Sequence, residues 1–345
     1  MKFSIFYVIC PEGDETEVDA YQKVMEQCQA ADELGFHCAW FAEHHFSKVG
    51  MCPDPLLWCA ALAQKTKNIR LGTAISIMPF HNPVRLAEQA AVVDLLSEGR
   101  LELGVGRGSQ PKEFKTFGAK PSESRKRLVE GMEIVSRLLE GEQVTFEGEY
   151  YQCRDVEIFP KPTQKPRPPI WLAGTSPETY TYAGENGFKI MASAGFKGPK
   201  VYRDKMKLYE EAVAARGGDL SDIDYTMTHR FYVCEEGEQT DYLKTFERGL
   251  SSYLEYRARV NEVEFTDEEG RHLQRNWSYK LDVREFLNGG GVIGSAEENI
   301  QELYRLRDDF GLNHVILGVY GDGMKHEDSL KLLERFAKEV APAIA

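Results

Sequence analysis

Short runs of apolar residues recur along the chain, at Phe3–Ile9, Cys38–Ala42, Ile69–Ile77, Leu101–Val105, Ile170–Ala173, Lys189–Ala192, Tyr225–Val233 and His314–Gly318. Runs of this length without strict alternation mark strands covered on both faces. Between them apolar positions fall at helical spacing, over Val18–Leu34, Pro55–Lys65, Pro83–Leu96, Ser124–Leu139, Pro177–Asn186, Val201–Ala215, Thr240–Tyr256, Glu297–Phe310 and Ser329–Val340. The stretch 70–108 shows the unit in full. A β-branched run meets an Asn82-Pro83 helix start, an amphipathic helix follows to Leu96, and a second strand runs into a Gly-rich basic loop. Strand, helix, strand builds parallel sheet with its chemistry at the strand ends. Repeated around the chain, the pattern predicts an α/β fold, a (β/α)8 TIM barrel rather than an open sheet.

Two segments break the alternation. Gln143–Pro160 has a strand–Gly–strand texture and predicts a β-hairpin inserted before the fifth barrel strand, with the Pro-rich Lys161–Pro169 leading back. Asn261–Gly294 is polar and charged, carries Trp277 and Tyr279, and is long enough to predict a lid loop. A formal GxGxxG at Gly289, Gly291 and Gly294 has no strand leading into it and reads as a loop or hinge. With no internal repeat and no linker, residues 1–345 are expected to form one barrel domain.

Composition narrows the partners. The 345 residues carry a formal net charge of −13, which argues against nucleic acid or an anionic membrane, so an anionic ligand would need a local basic pocket. No segment approaches the roughly 18 apolar residues of a membrane span. The apolar run after Lys2 is too short for a secretory signal and leads into acidic residues, which predicts a buried first strand. Seven scattered cysteines without a CxxC pair read as reduced thiols in a cytoplasmic protein.

Three places carry chemistry. In Ala42-Glu43-His44-His45-Phe46, successive side chains at the end of a strand point to opposite faces, so two histidines do not readily share a metal ion. His44 is then a catalytic or ligand-contacting candidate at the barrel rim, with structural rim histidines or a metal site as alternatives. Gly104-Val105-Gly106-Arg107-Gly108-Ser109 lets backbone approach a ligand while Arg107 offers a fork of donors to a phosphate; a flexible turn with a solvated arginine is the plainer reading. Gly174-Thr175-Ser176-Pro177 precedes a helix with Ser176 at the N-cap. Free N–H groups and the Ser176 and Thr179 hydroxyls would make a phosphate seat, or simply cap the helix.

These motifs together resemble the bacterial luciferase-like family of flavin-dependent monooxygenases. AEHHF at 42–46, LGTAISIMPFHNPVRLAEQAAVVDLLSEGRLELGVGRG at 71–108 and WLAGTSPETYTYAGENG at 171–187 carry the resemblance, with GSAEENI at 294–300 and HVILGVYGDG at 314–323. It implies FMN at the C-terminal mouth of the barrel, its phosphate held by Arg107, Arg125, Ser176 and Thr179, with Ser109, Gln110, Gly174 and Thr175 bordering the site. It implies a non-proline cis peptide at Ala74-Ile75 beneath the flavin ring, His44 as the catalytic histidine, and 261–290 as the lid; His45 and Glu113 are secondary candidates near the ring. Gly106 stands where luciferase itself has a reactive cysteine. Ala194 and Gln110 replace aromatic residues of its aldehyde site, so a long-chain aldehyde and light emission are not implied.

The expected activity is that of a two-component monooxygenase. Reduced FMN, delivered by a separate flavin reductase, would react with O2 through a C4a-peroxyflavin and oxidise a small organic substrate, with no metal. An F420-dependent oxidoreductase is the alternative within the same barrel, and a non-catalytic flavin-binding subunit the alternative outside enzymes. Helices 55–65 and 83–96 are apolar on more than one face, which predicts a homodimer through them, with a heterodimer also open.

Overall fold

The computed structural model describes residues 1–193, 199–260, 291–320 and 324–344; the predicted lid 261–290 and Ala194 lie outside them. The barrel strands are β1 (Lys2–Val8), β2 (Cys38–Phe41), β3 (Arg70–Thr73), β5 (Leu101–Gly106), β8 (Ile170–Ala173), β9 (Lys189–Ser193), β10 (Thr226–Val233) and β12 (His314–Tyr320). Each pairs in parallel with its neighbour, and β12 closes the ring against both β10 and β1. The expected (β/α)8 barrel is therefore present. Its helices include α1 (Glu17–Glu33), α2 (Pro55–Ala63), α3 (Pro83–Leu96), α5 (Ser124–Glu140), α6 (Pro177–Glu185), α7 (Pro199–Ala215), α8 (Gln239–Val260), α9 (Ala296–Phe310) and α10 (His326–Arg335). The inserted hairpin is an antiparallel pair, β6 (Val144–Glu147) with β7 (Gln152–Val156).

Three elements differ from the sequence reading. The run expected as one strand over Ile69–Ile77 divides into β3 and β4 (Ser76–Ile77), and between them the Ala74-Ile75 peptide is cis. A short helix, α4 (Pro111–Phe117), follows the Gly-rich loop, with Pro at a position where a missing N–H costs nothing. The GVIG segment read as loop forms β11 (Gly291–Gly294), paired in parallel with Arg230–Val233 of β10. Its side-chain signal is weak because two of its four residues are glycine, so the pairing partner rather than propensity defines it.

Alternation along the strands sorts side chains into two cores. On β2, Cys38 and Trp40 join Trp171, Met191 and Ile316 inside the barrel, whereas Ala39 and Phe41 pack outward against the helices. Helix starts follow local chemistry: Asp54 and Asn82 cap α2 and α3 ahead of Pro55 and Pro83, and Thr16 and Ser295 form capping boxes on α1 and α9. The opposite end of the barrel is tied by charge. Asp224 binds Lys2 at 2.6 Å and Lys189 at 2.5 Å, Arg70 pairs with Glu102, and Glu102 accepts the Trp171 indole N–H at 2.5 Å. His314, fully buried, meets Ser4 Oγ at 2.7 Å and packs edge-on to His37.

Candidate functional site

Because all barrel strands run in parallel, the segments following β2, β3, β5 and β8 emerge at one mouth. That mouth gathers His44–Phe46, Ala74-Ile75, Arg107–Gln110 and Gly174–Ser176.

The two adjacent histidines go to different carboxylates, as alternation along the chain demands. His45 Nε2 donates to Glu43 Oε1 at 3.0 Å, and His81 Nε2 donates to Glu43 Oε2 at 3.0 Å, where the Ile77 N–H also arrives at 3.1 Å. Burial pushes the Glu43 carboxyl upward, but the bonds from His45 and His81 outweigh it and hold it below the usual carboxylate range. Burial likewise pulls His81 down, and its hydrogen bond and charge contact with Glu43 reverse this and raise it. His44 is engaged elsewhere. Its Nδ1 lies 3.3 Å from Gln110 Nε2 and 3.7 Å from Glu113 Oε1, and both partners are buried. Glu113 Oε1 also accepts the backbone N–H of His45 at 3.0 Å. Among the described residues, no three His, Cys, Asp or Glu side chains are grouped to hold a metal ion.

Opposite this cluster is the entrance of α6. Ser176 occupies the N-cap position but makes no side-chain capping bond; its hydroxyl instead lies 3.1 Å from Thr179 Oγ1 and 3.4 Å from Arg125 Nη2. Arg125 also reaches Glu178 Oε2 at 3.4 Å. The Glu178 carboxyl is held below its usual range by its own backbone N–H and the Ser176 hydroxyl, with further help from Arg125 and Arg107. The start of α6 thus gathers a guanidinium, two hydroxyls and a carboxylate.

The glycines between the two clusters bring backbone close. A Cβ at Gly106 would collide with the end of Ile75, one at Gly104 with the Thr73 carbonyl oxygen, and one at Gly174 would meet Thr179 Cγ2 at 2.6 Å. Gly108 adopts φ of 74°, a conformation that glycine takes without strain.

The mouth therefore collects all the sequence-derived candidates outside the undescribed segments: His44, Ala74, Ile75, Arg107, Ser109, Gln110, Gly174, Thr175, Ser176 and Thr179 border it, and Arg125 reaches in from α5. Gln110 is turned onto His44. Sequence reasoning did not single out His81. It stands 38 residues from Glu43 in the chain, and only the turn after β4 brings the two together. Nor did it find the apolar groove of about 800 Å³ beside His44, walled by Val18, Tyr21, Phe46, Met51 and Pro53. Those residues belong to α1 and the β2–α2 loop, and no local pattern connects them.

The chain is similar over most of its length to proteins already known. The chain is 28% identical over 355 residues to the flavin-dependent trigonelline monooxygenase, oxygenase component, of Acinetobacter baylyi, covering 100% of this chain and 96% of that protein. It is 27% identical over 329 residues to the F420-dependent glucose-6-phosphate dehydrogenase of Amycolatopsis mediterranei, covering 93% and 94%. Among solved structures, monooxygenase RslO1 from Streptomyces bottropensis superposes with a TM-score of 0.82 at 27% identity, over 100% of both chains. The family described as luciferase-like monooxygenase matches residues 1–314, and the chain belongs to that family.

Proposed function

We propose that this protein is the oxygenase component of a two-component, FMN-dependent monooxygenase acting on a small organic substrate, with a separate flavin reductase as its partner. One observation carries the reading: Arg125 reaches both the Ser176 hydroxyl and the Glu178 carboxylate at the start of α6, where Ser176 makes no capping bond. The residues fit a mononucleotide. Arg125, Ser176, Thr179 and Arg107 would hold the phosphate, and Gly106 with the Ala74-Ile75 turn leaves backbone bare for a flat ring. Reduced FMN would supply the electrons that let dioxygen give one atom to substrate and one to water. His44 would hold or move a proton at Nε2, its Nδ1 being engaged by buried partners. The groove beside it offers an apolar approach. The trigonelline relative, named as an oxygenase component, supports a reductase partner.

A second reading, F420 in place of FMN, draws on the F420-dependent relative. Titration of the purified protein with FMN, riboflavin and F420, followed by turnover with a flavin reductase under labelled dioxygen, separates the two. Preference for FMN over riboflavin and label in the product support the proposal. Tighter F420 binding with no labelled product overturns it.

A further inference from the structure

We propose that Gln110 and Glu113 are positioning residues that decide which nitrogen of His44 carries its proton. The inference rests on the reading of His44 as the proton-handling group and adds the device that sets its state.

Both residues come from one short stretch, the N-cap of α4 and its first turn, and both reach the same imidazole nitrogen. They offer it opposite chemistry. The Gln110 amide nitrogen, 3.3 Å from Nδ1, can only donate, so that contact requires a lone pair on Nδ1 and leaves the proton of the neutral ring on Nε2. The Glu113 carboxylate, with Oε1 3.7 Å from Nδ1, can only accept, so closing that contact requires Nδ1–H. A neutral His44 facing Gln110 presents Nε2–H as a donor; the same ring facing Glu113 presents Nε2 as a base.

The surroundings keep both choices open. Glu113 and Gln110 are 1% and 2% exposed, so water does not compete for the ring on this side. Each keeps one buried oxygen, Glu113 Oε2 and Gln110 Oε1, with no hydrogen-bond partner among the described residues. A buried acceptor left unsatisfied is unusual and costly, and one on each of two side chains that reach the same histidine nitrogen points to an arrangement that changes partners. Glu113 is also anchored, because its Oε1 accepts the His45 N–H at 3.0 Å, so a modest movement of the ring suffices to exchange one neighbour for the other.

Proton balance follows. When Nε2 takes a proton from a reacting group, the ring becomes cationic and carries N–H on both sides. Only the Glu113-facing ring, with Nδ1–H already in place, can take this proton; Gln110 does not donate to it, and the Glu113 carboxylate receives Nδ1–H and offsets the charge. When Nε2 gives that proton up, the neutral ring keeps Nδ1–H toward Glu113; return to the Gln110-facing form needs the Nδ1 proton to leave to solvent and one to come back to Nε2. Gln110 thus favours the donor form of His44 and Glu113 the acceptor form.

The test uses the full-length, flavin-free protein with ¹⁵N-labelled histidine, so that its outcome does not depend on cofactor binding. Wild-type His44 at neutral pH is expected to show an unprotonated Nδ1 and a protonated Nε2 as the major form. Gln110→Leu removes the donor and is expected to invert the ratio toward Nδ1–H, whereas Glu113→Leu removes the acceptor and is expected to raise the Nε2–H fraction further. Product yield per reduced flavin is expected to fall in both variants, with Gln110→Asn restoring the wild-type tautomer in part. An unchanged tautomer ratio in Gln110→Leu or in Glu113→Leu, or a shift opposite to the one stated, overturns the proposal; either variant alone decides it if the other does not fold. Should the protein bind no FMN while the tautomers respond as stated, the functional reading fails and this inference stands.

Discussion

Arg125 extends from the start of α5 to the start of α6, where its Nη2 lies 3.4 Å from the Ser176 hydroxyl. The two residues are 51 positions apart and meet because α5 and α6 flank the same part of the barrel mouth. A bond from a guanidinium to a phosphate contributes about 1.5–3 kcal/mol, so Arg125→Ala is expected to weaken FMN binding about 10- to 100-fold. Riboflavin lacks the phosphate, and its affinity is expected to stay within about twofold. Calorimetric titration of both ligands decides the matter; equal losses for the two would remove Arg125 from the phosphate seat.

Gly104 and Gly106 lie two residues apart on β5 yet answer to different neighbours. A Cβ at Gly104 runs into the Thr73 backbone carbonyl, whose own residue donates its hydroxyl to the Gly104 carbonyl at 2.6 Å. A backbone atom locked in the barrel does not move aside. Gly104→Ala is expected to cost about 3 kcal/mol or more, at the upper end of overpacking effects. At Gly106 the obstacle is the tip of the Ile75 side chain, which can change rotamer. Gly106→Ala is expected to cost about 1 kcal/mol. Urea unfolding of both variants checks the ranking, and a larger loss at Gly106 contradicts it.

How much of this was written in the sequence depends on the reach of each interaction. Strands buried on both faces leave continuous apolar runs, and Asn82-Pro83 or Ser176-Pro177 mark helix starts within two residues, so the barrel and the start of α6 at its mouth were legible. The cis Ala74-Ile75 peptide followed from family resemblance, not from residue type, since nothing in Ala-Ile itself favours it. The Glu43–His81 contact and the groove of Tyr21, Phe46 and Met51 depend on how distant segments meet, and a one-dimensional pattern holds no trace of that. Strand β11 was illegible for another reason: glycine has no side chain with which to signal a strand.

Stability is expected to fall on mild acidification because two histidines at the closed end of the barrel are neutral when folded. Burial pushes His314 down to about 3; Asp224 pulls it back upward, and His37, Lys2 and Lys189 oppose that pull. Burial, then Lys2 and Arg70, push His37 down to about 4. An unfolded histidine titrates near 6.5, so their contribution is complete above that pH and is lost as the unfolded chain takes up protons between about 6.5 and 3–4. For His314 alone the loss from pH 7 to pH 5 is about 2 kcal/mol. His81 works in the opposite sense: Glu43 raises it, and that stabilisation is present below about 6.5 and fades as pH rises through the folded value. Denaturant midpoints at pH 7 and 5 are expected to converge in His314→Gln relative to wild type; an undiminished pH effect in that variant would assign it elsewhere.

The rim triad predicts a second stability effect. Glu43 is 3% exposed and satisfies His45, His81 and the Ile77 N–H at once. Removing one member of a buried charged pair costs about 3–5 kcal/mol because its partners stay buried without compensation. Glu43→Ala is expected to lower the unfolding free energy by about that amount at neutral pH. Glu43→Gln keeps an acceptor for one histidine and is expected to lose less. Equal losses for the two would mean that side-chain volume, not polar satisfaction, holds this part of the rim.

Association through α2 and α3 is the proposal most open to a direct physical test. Leu57 on α2 is 66% exposed, and Val92, Leu95 and Leu96 on α3 are 40%, 42% and 44% exposed. On α3 the three lie at i, i+3 and i+4 and so share one helix face. The helices are joined where Gln64 donates to the Leu96 carbonyl at 3.2 Å, which brings their outer surfaces alongside. Scattered exposed leucines are ordinary, but an aligned row beside a second apolar helix is what an obligate dimer interface leaves on a lone subunit. A two-fold axis would place each row against its copy, so one charge introduced per chain enters the interface twice. Leu95→Asp is therefore expected to convert a dimer to a monomer in light scattering, while a charge at exposed Val18 on α1 leaves the mass unchanged. A wild-type protein that is monomeric at micromolar concentration would leave these residues as plain surface.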